Sequence, residues 1–350
     1  MVEIFTLTAL AVVVAGFVVG IVVGLTGMGG GALMTPALIF LGVGGGQAAT
    51  IITADLTAAA VYKTGGAAVH WRNGSPHMKL ALWLIVGSVP MAFLGPYLVK
   101  LVSADPDDLD HMLKVAIGFA LLFAAATYAF RLYVNLRRVR RGGHEDDPNP
   151  TVRIVPTLLV GALGGLLVGI TSVGAGSVIM VSLLMLYPGL AAVKLVGTDL
   201  VQAVPLVLAA SIANIAIHGL DWEIVIPLII GSVPGTILGS RIAPRVPQSI
   251  IRRGIVVVLT MSGVALLDKA GWGPLSSEET NVWLITGTGI ATLVLVPLVW
   301  GVLRRTEGLP MMGIPTVAEL ERMPMDAHYK QRLEQRLARR RESASESPPE

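Results

Sequence analysis

Uncharged apolar runs separated by short charged stretches make up most of this chain. The runs at 4–26, 80–99, 115–130, 154–176, 224–240, 254–267 and 280–303 approach or reach the length that a helix needs to cross hydrocarbon, about 20 residues at about 1.5 Å of rise each. Two more, 47–70 and 190–217, are as long but carry internal charge, and two short apolar pieces, 32–43 and 177–188, each follow a glycine-rich run. The pattern predicts an all-α polytopic membrane protein in which the two short pieces are short or re-entrant helices. No Lys or Arg precedes position 63, and the first run is longer than a signal-peptide core, so it is read as a retained membrane helix.

The chain also repeats itself. GLTGMGGG at 24–31 aligns with GITSVGAG at 169–176, with Gly24/Gly169, Thr26/Thr171, Gly29/Gly174 and Gly31/Gly176 identical. At nearly the same offset Asp55 falls on Asp199, GSVP at 87–90 on GSVP at 231–234, and Gly95 on Gly239. Two copies of one unit follow. The chain divides into a first transmembrane repeat (1–136), a polar linker (137–153), a second repeat (154–268), an additional C-terminal transmembrane helix (280–303) and a tail (304–350).

Short loops rich in Lys and Arg stay on the cytoplasmic side. Loop 71–79 (Arg72, Lys79), the linker region (Arg131, Arg137, Arg138, Arg140, Arg141), loop 241–253 with its four arginines, and the start of the tail (Arg304, Arg305) are basic, whereas 103–110, 219–223 and 268–279 are mostly acidic. Equivalent loops of the two copies therefore carry opposite charge, as in inverted-topology repeats related by an axis in the membrane plane. Inversion needs an odd number of crossings in each unit. Five segments per unit satisfy it and put the N-terminus outside; the additional helix then returns the C-terminus to the cytoplasm, in a multi-pass protein expected in the plasma membrane.

Composition narrows the chemistry further. Residues are 53% hydrophobic and 14% charged, with a mean hydropathy of +0.72; a soluble domain carries roughly 25% charge. The absence of cysteine excludes disulfides, a thiolate nucleophile and iron–sulfur clusters, and the six histidines never fall into metal-ligand spacing. Neither metal nor cofactor is expected. The isoelectric point near 9.3 reflects basic residues beside apolar runs without an interleaved aromatic surface, which suits anchoring in a lipid bilayer rather than nucleic-acid binding. Of the 49 charged residues 17 lie in 304–350, where 317–341 predicts a cytoplasmic helix.

Matched glycine-rich breaks in two inverted repeats mark a secondary transporter whose site lies where the units meet. A broken helix presents unpaired N–H groups and the positive end of its dipole, and glycine lets a ligand approach them. Thr26, Gly27, Gly29, Gly30 and Gly31 in the first copy, with Thr171, Ser172, Gly174 and Gly176 in the second, are accordingly candidates for binding an oxyanion; close helix packing through small residues is the competing account. Ionisable groups at membrane depth are functional candidates. Asp55 and Asp199 are expected to couple proton movement to transport, or else to cap helices and bond neighbouring hydroxyls. Lys63, which has Val207 at its matching position, offers positive charge to an anion or to Asp55, or snorkels to the interface; Asn214 touches substrate or bonds across helices.

These residues resemble the TauE/SafE family of anion permeases, the sulfite exporters. The likeness rests on GLTGMGGGALMTPAL at 24–38 with its echo at 169–186, TADLTAAAVYKTGGAAVHWRNG at 53–74, GSVPMAFLG at 87–95, and the second-copy stretches at 197–219 and 231–243. It covers about residues 4–268 and implies export of small sulfur-containing or carboxylate anions such as sulfite. Many members have Ser where this chain has Asp55 and Asp199, and 280–350 lies outside the common core. Two other classes compete: a membrane scaffold acting through its cytoplasmic tail, and an intramembrane aspartate enzyme, for which TADL and GTDL supply no further catalytic signature. A non-enzymatic transporter, with a small anion and the bilayer as partners, is the expectation, and a homo-oligomer is compatible with it.

Overall fold

The computed structural model describes residues 2–26, 30–72, 76–102, 105–140, 150–187, 190, 192–242, 248–272 and 282–306, and among these it contains helices and turns but no strand. The helices are α1 (Val2–Thr26), α2 (Gly31–Phe40), α3 (Ala48–Arg72), α4 (Met78–Val102), α5 (Pro106–Arg140), α6 (Ile154–Thr171), α7 (Met180–Leu186), α8 (Ala192–His218), α9 (Trp222–Ile242), α10 (Gln248–Lys269) and α11 (Val282–Thr306). Seven of them, α1, α4, α5, α6, α8, α9 and α11, are long and apolar enough to cross a membrane. The helices α3 and α10 have crossing length at 25 and 22 residues. The expected short helices are α2 and α7, with 10 and 7 residues.

Four expected boundaries move. The run read as continuous over 154–176 stops at Thr171, because Ser172 turns into the left-handed region (φ 58°, ψ −3°); a π-helical turn, Ala175–Ile179, then leads into α7. The acidic stretch at 103–110 is largely the start of α5, with Asp107 and Asp108 in its first turn, where negative charge meets the positive helix end. Likewise α5 continues to Arg140 and α10 begins at Gln248, so part of each basic loop is helical. After α2 the chain reverses through Gly42, Gly44, Gly45 and Gly46, all at φ between 60° and 72°, a conformation that glycine adopts without steric cost. The helix expected at 317–341 lies outside the described residues.

The first helix of each copy packs along the fourth helix of the other, α1 on α9 and α6 on α4, and the third helices, α3 and α8, pack on each other, as do α5 and α10. Exchanging the two copies leaves this pairing unchanged. Glycines make the first two seams. An ideal Cβ on Gly231, Gly235 or Gly239 of α9 would fall 2.1–2.3 Å from the carbonyl oxygens of Val13, Phe17 and Ile21 on α1, and one on Gly165 or Gly169 of α6 would fall 2.2–2.3 Å from those of Ser88 and Ala92 on α4. The repeated GSVP is thus a packing element: its glycine and serine backbones touch the opposite helix. Small residues at four-residue spacing let membrane helices approach to backbone contact.

The core gathers around α3 and α8, with Ile51, Ile52, Leu56, Leu206 and Ala210 inaccessible or nearly so. The helix α11 packs on α10 and touches α5; its Trp283, Ile290, Leu293 and Val302 face outward, as residues bathed in lipid do. Gly231→Ala is expected to destabilise the fold by about 2 kcal/mol, since overpacking outweighs the helix-propensity gain of about 1 kcal/mol. Gly287→Ala on α11, with nothing within 4 Å of the new Cβ, should leave stability unchanged or raise it; thermal unfolding of the purified protein in detergent compares them.

Candidate functional site

The two breaks meet in the interior. An ideal Cβ on Gly31, the first residue of α2, would lie 1.9 Å from the carbonyl oxygen of Ser172, the residue that ends α6. Only glycine permits this approach. Ser172 is, among the described residues, the sole non-glycine at positive φ, a conformation that costs an L-residue roughly 1–2 kcal/mol and that persists because its surroundings hold it. Its N–H donates to Val168 O at 2.8 Å, and Thr171 alongside donates to Leu167 O at 2.6 Å while accepting from the Val173 N–H at 3.1 Å.

Asp55 of α3 sits against this junction and is wholly buried. Its Oδ2 accepts two hydroxyl hydrogen bonds, from Thr35 of α2 and from Ser172, both at 2.7 Å. Its Oδ1 is buried with no hydrogen-bond partner among the described residues. One carboxylate therefore joins α2, α3 and the end of α6. Two turns further along α3, Tyr62 Oη accepts the N–H of Gly30 at 3.1 Å and would lie 2.4 Å from a Cβ on Gly30. A phenol oxygen thus occupies the amide that opens α2.

The second carboxylate is placed differently. Asp199 of α8, 4% exposed, accepts from Gln202 Nε2 at 3.1 Å one turn along its own helix, and Gln202 Oε1 accepts from Ser88 of α4 at 3.5 Å. Lys63, 7% exposed, stands within Coulombic range of Asp199 and of Asp55. Nearby, Thr57 and Ser211 bond across α3 and α8 at 2.8 Å. Asn214 donates to Gly169 O at 3.1 Å and Ala210 O at 2.9 Å, fastening α8 to one of the carbonyls that α6 leaves open at its end.

Of the residues singled out in the sequence, Gly30, Gly31, Ser172 and Asp55 come together at the junction, Thr171 shapes it, and Lys63 lies between the two carboxylates in electrostatic terms. Gly174 follows Ser172 at φ 116°, and Gly176 falls within the π-helical turn. Thr26 ends α1, and Gly27 and Gly29 lie outside the described residues. Thr35, Tyr62 and Gln202 were missed. Each had a periodic signal: Thr35 is one turn beyond Gly31, Tyr62 two turns beyond Asp55, and Gln202 three residues beyond Asp199, spacings that put each pair on one helix face.

Tyr62→Phe leaves the Gly30 N–H without its acceptor, which costs about 1–3 kcal/mol for a buried donor. Thermal unfolding should register that loss, whereas Tyr97→Phe, at an exposed position, should not.

The comparisons with known proteins agree with this architecture. The model of the sulfite exporter TauE/SafE family matches residues 12–266, a span that runs through both glycine-rich breaks and stops before α11. The chain is 33% identical over 259 residues to a probable membrane transporter protein, YjnA, of Bacillus subtilis (strain 168), covering 74% of this chain and all of that protein. It is 24% identical over 257 residues to the probable membrane transporter protein YdhB of the same organism, covering 73% and 99%, and 26% identical over 243 residues to a probable membrane transporter protein of Xylella fastidiosa (strain 9a5c), covering 67% and 85%. No solved structure matches. The family and these relatives are membrane transporters rather than enzymes, and this chain, matched across both repeats, belongs to the TauE/SafE sulfite exporter family.

Proposed function

We propose that this transporter is a proton-coupled secondary carrier, an exporter, of small anions of the sulfite, organosulfur or carboxylate class. The observation that carries the reading is the fully buried Asp55 at the contact between the two helix breaks, bonded to one and beside the other. A carboxylate with an unsolvated oxygen in such a place is costly, and a proton relieves the cost. The breaks supply backbone donors and hydroxyls suited to an anionic oxygen. A negative charge near an anion must be protonated or paired, and Lys63 and a proton on Asp55 are the available counter-charges.

The pairing of α1 with α9 and of α6 with α4 supports two repeats of inverted topology, and the loop charges support an outside N-terminus, a cytoplasmic C-terminus and a plasma-membrane location. Thr26, Gly27, Gly29, Gly30, Gly31, Thr171, Ser172, Gly174 and Gly176 line the anion's path in this reading, with Lys63 and Asn214 adjoining it and Asp55 or Asp199 exchanging the proton. Association into homo-oligomers is compatible with this.

The direct test is labelled sulfite flux into proteoliposomes of the purified chain, with imposed pH gradients of either polarity and with competing anions. For one proton per anion, a gradient of one pH unit should change the accumulation ratio about tenfold. Flux of another small anion but not sulfite would keep the mechanism and change the substrate; no flux for any small anion would overturn the reading. Removing residues 306–350 should leave at least about half of the flux if the site lies within the family-matched region, whereas a function carried by the tail would be lost.

A further inference from the structure

The two aspartates occupy matching places in the repeats, yet their surroundings are not matched. Asp55 accepts from Thr35 in its own unit and from Ser172 in the other, and keeps one buried oxygen unpartnered. In the second copy the positions that correspond to Thr35 and Ser172 are Met180 and Gly27, neither with a hydroxyl, and Gln202 on the same helix donates to Asp199. The corresponding position for Gln202 in the first copy is Ala58, and for Tyr62 it is Leu206. In the first copy the carboxylate itself receives hydroxyls from both units, whereas in the second Gln202 stands between Asp199 and Ser88 of α4.

We propose that Asp55, and not Asp199, is the carboxylate that carries the proton, and that it acts as a tie holding α2 and α3 to the end of α6. This deepens the reading of a proton-coupled carrier and rests on it. Ionised, Asp55 draws the hydroxyls of Thr35 and Ser172 onto one oxygen by charge-assisted hydrogen bonds, which are roughly twice as strong as neutral ones. A proton arriving on Oδ1 removes that charge and weakens both bonds. Ser172 is the end more easily released, since its left-handed backbone relaxes when the bond is lost, while Thr35 remains fixed in α2. Proton uptake therefore loosens, and proton release restores, a connection between the first unit and the break in the second. The titratable groups facing Asp55 are Tyr62 and Lys63 on its own helix; α2 and the turn after α6 contribute none, α8 contributes Asp199 about two turns from its start with Lys194 in its first turn and His218 at its end, α5 has Asp107, Asp108, Asp110, His111 and Lys114 in its first turns, and α9 has Glu223 and Arg241 at its ends.

The test measures, in proteoliposomes of the full-length chain, the ratio of sulfite flux with and without a pH gradient, alongside sulfite counterflow at equal pH as a check that each variant is folded. For Asp55→Asn the ratio should fall to about one with counterflow retained, and for Asp199→Asn it should stay within about twofold of wild type. Thr35→Val should lower the ratio severalfold without abolishing counterflow, and Thr35→Ser, which restores the hydroxyl, should return it; Ser172→Gly, suited to the left-handed backbone, should lower the ratio by a larger factor than it lowers counterflow. Loss of the ratio in Asp199→Asn but not in Asp55→Asn would overturn the assignment while leaving proton coupling standing. A wild-type ratio in both Thr35→Val and Ser172→Gly would overturn the tie, and a wild-type ratio in both aspartate variants would overturn proton coupling itself. Should Asp55→Asn lose counterflow, pH-difference infrared spectra decide between the carboxylates: a titrating carboxylic-acid band that survives in Asp199→Asn supports Asp55, and a band that vanishes there refutes it.

Discussion

A helix that stops inside a hydrophobic interior leaves backbone carbonyls at one end and amides at the other without partners, and no water is at hand to take them. Much of the interior is organised around that constraint. The end of α6 is met by Asn214 and by the turn that Thr171 and Ser172 form; the beginning of α2 is met by Tyr62. Because the two ends also touch each other through Gly31 and Ser172, the groups that satisfy them are gathered into one place, and Asp55 lies there. The polar centre is a consequence of breaking helices indoors. A functional group placed elsewhere in this bundle would have had to bring its own hydrogen-bond partners.

Most of the fold could be read before the structure was known, since it follows from two simple periodicities: the length of apolar runs set against hydrocarbon thickness, and the recurrence of the same motif about 145 residues later. Boundaries were less legible. A helix end such as Thr171 depends on one residue adopting a left-handed backbone, and Ser172 carries no sign of that, being neither Gly nor Asn. Acidic residues at 105–110 look like loop in a charge count, although Asp107 and Asp108 serve equally well to open a helix.

The site was legible in part, and for a physical reason. Glycines and buried charges stand out because they are rare or costly in apolar runs, so Gly30, Gly31 and Asp55 could be named. What they do could not be separated, because a glycine admitting a ligand and a glycine admitting a neighbouring backbone look alike in sequence; Gly24 and Gly169 prove to be of the second kind, set against Thr236 and Ala92. Hydroxyl partners such as Thr35 and Ser88 are common residues whose role is decided by what faces them, which only tertiary structure supplies. The repeat even misleads here: it suggests that Asp55 and Asp199 are alike, while the residues around them have diverged.

The glycine seams also determine how such a molecule is able to move. Backbone set against backbone, with no side chains between, leaves no compliant layer, and sliding along the seam would bring the side chains that neighbour Gly231 or Gly165 against the opposite carbonyls. Each seam joins a helix of one sequence copy to a helix of the other, so moving either copy as a block would part both seams. The lines along which this protein can part must instead run between the seamed pairs, α1 with α9 and α4 with α6, and the softer, side-chain-packed helices beside them. The seams, in other words, tie together helices that the sequence copies would set apart.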